Sequence, residues 1–167
     1  MIVQEGRLIP FVEYLERARP QRERPVIWHS RDIWAAANEH GGHARGSVAL
    51  TRDSAADKTA IAPGLSLTAQ IVEPGTHAPV HSHSFWHLYF VQRGEGHIAI
   101  DSERDLQSLH TGDWLFVPAW CVHAIDNRAG TVPLELIVLQ NLPQNAALGN
   151  LARADQDKPI QLTYSAS

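Results

Sequence analysis

The chain reads as an all-β sandwich or barrel preceded by short helical segments, and three observations predict it. From Arg45 onward the sequence breaks into short runs with period-two alternation, the signature of half-buried strands. Turn residues such as Gly94-Glu95-Gly96 and Thr111-Gly112-Asp113 separate the runs at even spacing. The 167 residues suffice for one sizeable core, but not for two barrels and a linker.

The elements follow in order. Pro10 to Arg19 predicts a short helix: Pro10 suits its first turn, Phe11, Val12, Tyr14 and Leu15 form an apolar stripe, and Pro20 ends it. Gln21 to Arg24 is a charged connector, Val26 to His29 a short strand, and Asp32 to Asn38 a helical turn stopped at Gly41-Gly42. Strands are expected at roughly 46–51, 64–72, 79–83, 87–92, 96–101, 105–109, 114–117, 120–126 and 133–140. After Asn141 the chain is polar, and only Pro159 to Tyr164 has strand character. The expected organisation is an N-terminal arm over 1–44, a barrel over 45–142 and a tail over 143–167 able to add an edge strand.

Composition narrows the function. A net charge of −4 without a basic run argues against nucleic acid as a partner. The single cysteine, Cys121, rules out an intrachain disulfide and suits a reducing compartment. No basic-then-apolar leader and no apolar run of membrane-spanning length is read, so a soluble cytoplasmic domain is expected.

Four histidines carry the chemistry. Side chains two apart on a strand share a face, so His81 and His83 point the same way, and His87 joins them if the strand runs on without a bulge. His87, Tyr89 and Val91 then share one face of the next strand, with Leu88 and Phe90 on the other; Cys121, His123 and Ile125 share a face on a partner strand. Folding brings His123 to the first three. Neutral imidazoles converging from stiff elements suit Fe, Ni, Cu or Zn. The other six histidines (His29, His40, His43, His77, His97 and His110) lie outside this spacing and are expected to be ordinary. Four neutral ligands leave the charge of a divalent ion uncompensated, so the site should attract an anionic oxygen and favour ferrous over ferric iron. A six-coordinate ion with four histidines keeps only two positions, whereas a chelating substrate plus O2 needs three. If the reaction is of that chelate-plus-O2 kind, His87 is expected either to detach on substrate binding or to act as a base beside the metal. Ser66, Thr68 and Gln70 alternate with Leu67 and Ala69 as a polar pocket wall. Trp86, Trp114 and Trp120 are expected to pack the barrel.

The two histidine blocks resemble the paired motifs of the cupin superfamily, G-x5-H-x-H-x3-4-E-x6-G and G-x5-P-x-G-x2-H-x3-N. Gly75, His81, His83 and Gly94 match the first, and Gly112, Pro118, His123 and Asn127 the second. His87 stands in place of the motif's Glu, and Trp120 in place of its Gly. The resemblance implies a cupin jelly-roll β-barrel. A narrower likeness is to one barrel of the gentisate and salicylate 1,2-dioxygenases, over about residues 25–142. Gln70, Pro74, Gly75, Ala78, His81, His83 and Phe90 fall in register with its first block, and Pro118, Trp120, His123 and Asn127 with its second. That family holds Fe(II) with three histidines, which implies His81, His83 and His123 as ligands. His87 is then a fourth ligand or a base, and Arg45 and Gln70 are pocket residues anchoring substrate oxygen or O2. The family's substrate-carboxylate arginine falls at Tyr89, which could instead donate a hydrogen bond, and its Asp and His after the last ligand fall at Ala124 and Ile125.

The resemblance thus implies an Fe(II)-dependent dioxygenase that cleaves a carbon–carbon bond of a chelating aromatic or diketone-like substrate with O2; Ni, Mn and Zn are the other candidate metals. Two classes compete with it: a non-oxidative metal-dependent isomerase or lyase, and a ligand-binding cupin without catalysis. A homodimer or higher homo-oligomer is expected, since the sheet edges of a lone barrel are often covered by a second subunit.

Overall fold

In the computed structural model, residues 5–19, 24–40, 47–52, 59–155 and 160–162 are described. The elements are α1 (Phe11–Arg17), α2 (Ser30–His40), β1 (Ser47–Leu50), β2 (Ser66–Val72), β3 (His81–His83), β4 (His87–Arg93) and β5 (Glu95–Ile100). They continue with β6 (Ser102–His110), β7 (Trp114–Val117), β8 (His123–Asp126), β9 (Leu134–Gln140), α3 (Leu142–Ala147), β10 (Ala152–Asp155) and β11 (Gln161–Leu162). The strands form two sheets in the orders β1-β2-β9-β4-β7 and β11-β10-β3-β8-β5-β6. The strand pairings are antiparallel. Two antiparallel sheets enclosing one core make a jelly-roll barrel, as the alternation and motifs implied.

β9 shows how the pattern builds the interior. Its burial alternates strictly, sending Leu134, Leu136, Val138 and Gln140 inward. The first three join Val91, Ile98, Val117 and Ile125 in the hydrophobic core. Gln140 ends the same row beyond the core, so the row passes from apolar packing to a polar end within one strand. β4 lies alongside with His87 opposite Gln140, Tyr89 opposite Val138 and Val91 opposite Leu136. Gly94 then turns the chain into β5 at φ +86°, where the Pro133 carbonyl occupies the space a Cβ would need.

Some elements depart from the sequence reading. Residues 26–29 are not a strand, and the helical turn expected from Asp32 to Asn38 is the longer helix α2, packed against β1 and β2. The strand expected at 120–126 starts only at His123, because Trp120 has φ +63° and cannot continue an extended run. α1 forms as expected but buries none of its apolar stripe, leaving Phe11 71% exposed. The segment after Asn141 carries α3 and β10, and β10 pairs with β3. β10 and β11 therefore belong to the sheet that bears His81, His83 and His123. Among the described residues, no helix is long and apolar enough to cross a membrane.

Candidate metal centre

His81 and His83 alternate along β3, and His81 stands directly opposite His123 of β8. Residues opposite each other in a ladder project to the same face, so three imidazoles meet inside the barrel. Their ring centroids lie 4.5 Å (His81–His123), 5.1 Å (His83–His123) and 5.5 Å (His81–His83) apart. One nitrogen from each falls within 4.8 Å of the others. His83 and His123 are each 1% exposed, and Phe85 stacks flat on His83 at 3.9 Å.

The backbone decides which nitrogen faces inward. His81 Nδ1 donates to the Pro79 carbonyl (2.7 Å), His83 Nδ1 to the Phe85 carbonyl (2.6 Å) and His123 Nδ1 to the Cys121 carbonyl (2.9 Å). A carbonyl only accepts, so each Nδ1 carries the proton and each Nε2 is left with a lone pair. His83 Nε2 is buried without a hydrogen-bond partner, an expensive arrangement unless something electrophilic meets it. Orienting ligand histidines through the far ring nitrogen is a recurring feature of metal sites. By this test the donor set fits a metal ion.

Burial keeps the imidazoles neutral. Loss of solvation, then repulsion from neighbouring imidazoles and from Arg153, lowers His81 and His83 from 6.5 to about 3. The same burial lowers His87 and His123, and it raises the Tyr89 phenol above its ordinary 10. Neutral rings with free lone pairs are what ligation requires.

His87 is close to the triad, 4.3 Å from His83 and 5.7 Å from His123 by ring centroid, but both its nitrogens are engaged. Nε2 donates to Gln140 Oε1 (2.8 Å), so Nδ1 is an acceptor and receives the Tyr89 hydroxyl (2.7 Å). The Tyr89 oxygen also lies 3.4 Å from His123 Nε2. His87, Tyr89 and Gln140 thus form a hydrogen-bonded chain that ends beside the triad.

A cavity of about 230 Å³ opens in front of these groups, and Thr68, Gln70, Tyr89, Gln140 and Arg153 line it. Its size falls just below that of most ligand sites, which run from about 300 Å³ upward. Gln70 and Thr68 supply the polar wall read from alternation along β2, and Ile125 makes part of the wall apolar. Arg45 lies outside the described residues. Trp120 is 48% exposed and Trp114 65%, so neither is packed inside as expected; both sit on the outer surface. Gln140 and Arg153 were not anticipated. A polar residue closing the inward row of β9 was the available signal for Gln140, whereas Arg153 depends on the pairing of β10 with β3.

Residues 69–140 match the Cupin_2 family, described as a cupin domain. The 5-nitrosalicylic acid 1,2-dioxygenase of Bradyrhizobium sp is 34% identical over 64 residues, covering 38% of this chain and 30% of that enzyme. The salicylate 1,2-dioxygenase of Pseudaminobacter salicylatoxidans superposes with a TM-score of 0.76 at 21% identity, over 90% of this chain and 46% of that one. Its adduct with gentisate gives 0.75 at 21% identity, over 96% and 46%. The chain therefore spans less than half the length of these relatives.

Proposed function

We propose that this chain, a cupin-domain relative of the salicylate 1,2-dioxygenases, is a metal-dependent dioxygenase cleaving a carbon–carbon bond in a small, chelating, oxygenated substrate. The observation that carries the proposal is the set of three imidazoles with Nδ1 tied to carbonyls and Nε2 turned into a cavity with polar walls. His81, His83 and His123 would hold Fe(II), which supplies Lewis acidity and a path for electrons between substrate and O2. Three protein ligands leave three positions of a six-coordinate ion, the number that a two-atom chelate and a second reactant need.

His87 acts from beside the ion. Ligation through Nε2 would break its bond to Gln140, and ligation through Nδ1 would break its bond to Tyr89. Its unprotonated Nδ1 is placed to take the proton of a substrate hydroxyl, relayed through the Tyr89 oxygen, while Gln140 accepts from Nε2–H and steadies the charge that results. Tyr89, kept neutral by burial, then presents a hydroxyl to the substrate oxygen. Gln70 and Thr68 line the same cavity from β2 of the same sheet and fix the orientation of the ring or diketone plane.

A homo-oligomer in the cytoplasm completes the proposal. β7 ends its sheet with Trp114 and Phe116 exposed, an edge of the kind second subunits cover; light scattering that gave only a monomer would remove this part. The activity is tested by anaerobic Fe(II) loading with metal content measured, followed by oxygen-electrode screening of salicylate, gentisate, β-diketones and aromatic hydroxyketones. Uptake stoichiometric with substrate loss is the expected result. Iron-replete protein that consumes no oxygen with any of them would overturn the dioxygenase reading and favour a non-oxidative isomerase or lyase using the same histidines.

A further inference from the structure

A charged group of this cavity, Arg153, lies outside residues 69–140, the stretch that matches the cupin family. Arg153 lies on β10 directly opposite His83 of β3, and Asp155 lies opposite His81. Cross-strand partners share a face, so both side chains turn toward the interior with the histidines. The Arg153 side chain is only 13% exposed and lines the cavity beside Gln70, Tyr89 and Gln140. Its field is felt at His81, His83, His123 and Tyr89. Nε and one terminal nitrogen both meet Asp155 Oδ1 at 2.7 Å. That contact uses two of the five donors of a planar guanidinium and fixes its roll.

The ion pair with Asp155 carries no net charge, but its guanidinium end is the part that lines the cavity beside four neutral imidazoles. Among the described residues that line the cavity, Arg153 is the one with a permanent charge. The position where the family likeness would supply a carboxylate-binding arginine is Tyr89, a neutral phenol. We propose that Arg153 is the specificity-determining residue of the site: it receives the carboxylate of a monoanionic substrate, whose neighbouring oxygen is thereby aimed at the three histidines. The proposal rests on the reading of the triad as a metal centre. It gives β10 a role in recognition as well as in closing the sheet.

The test is anaerobic calorimetry on the Fe(II)-loaded protein with salicylate and salicylamide, which share the ring and hydroxyl and differ in the charge of the ortho group. Wild type should bind salicylate more tightly. Arg153→Gln should lose about 10- to 100-fold in salicylate affinity, the worth of one charge-assisted contact, with salicylamide affinity unchanged. Arg153→Lys, which keeps the charge but not the fork, should fall between them and covers the case in which the glutamine variant does not fold. Equal salicylate affinity in wild type and either variant, or no preference for salicylate in wild type, would overturn the proposal. The two readings fail separately. Arg153-dependent salicylate binding without oxygen uptake sinks the dioxygenase and spares Arg153; oxygen uptake with a neutral diketone and indifference to salicylate does the reverse.

Discussion

Acidifying the metal-free protein should destabilise it steeply, because the fold refuses protons that the unfolded chain accepts. His81 and His83 ordinarily titrate at 6.5 and are held at about 3 in the barrel. Between those values the unfolded state binds more protons than the folded one, so stability falls as pH drops through the window and is fully present only above 6.5. Going from about pH 7.5 to about pH 5 costs about 2 kcal/mol for each of these two rings. His87 and His123 move in the same direction and add to the loss. A total of at least about 4 kcal/mol is a large part of the roughly 5–15 kcal/mol that holds a domain together. The assay is urea unfolding of chelator-treated protein, followed by the fluorescence of its five tryptophans. With a slope of about 2 kcal/mol/M, the midpoint should drop by about 2 M. Metal should steepen the dependence further, since it binds the same Nε2 atoms only when they are unprotonated. Replacing both residues, His81→Gln with His83→Gln, removes two titrating groups and should flatten the curve by about 4 kcal/mol. Coincident midpoints at the two pH values would refute the claim that burial holds the imidazoles neutral.

Three further outcomes are expected. His83→Ala should abolish stoichiometric metal binding, whereas His87→Ala should keep the metal and lose about 10²- to 10⁴-fold in turnover, the range of general-base catalysis; equal metal loss in the two variants would make His87 a ligand. Asn127→Ala should cost about 3 kcal/mol in urea melts, because buried Asn127 Nδ2 donates to the Val72 and Val132 carbonyls at 2.8 and 2.9 Å and both bonds would be lost. Trp120 occupies a left-handed conformation at φ +63°, so Trp120→Gly should be more stable than Trp120→Ala by about 1 kcal/mol, a comparison that cancels the loss of the indole.

Alternation made most of the barrel legible. His87, Tyr89 and Val91 were readable as one face of β4, and 3% exposure of Tyr89 and 0% of Val91 bear that out. The triad was legible for the same reason: a two-residue spacing in His81 and His83 aims both rings one way whatever surrounds them. Which nitrogen is free was not legible, since it depends on where the Pro79, Phe85 and Cys121 carbonyls fall after folding. The early end of the strand expected from 120 was half-visible. The general motif has Gly at Trp120, and its observed φ explains why a glycine suits that position. α3 and β10 escaped notice because Leu142 is the one large apolar residue in Leu142–Ala147 and Ala152–Asp155, so no periodicity rises above the background.

That weakness of signal in β10 follows from its position in the fold. A strand whose inner face meets a polar site has no reason to alternate apolar with polar, because Arg153 and Asp155 occupy the inward positions that leucines occupy on β9. Its register must then be held by something other than hydrophobic burial. Reciprocal bonds do this at its first residue: Ala152 N donates to Ser84 Oγ and Ser84 N to the Ala152 carbonyl, each at 3.0 Å. A slip of one residue would turn Arg153 to the outside and expose Ala154 to the histidines. The pin at Ser84 therefore sets the charge of the cavity, and one short polar strand governs what the triad meets.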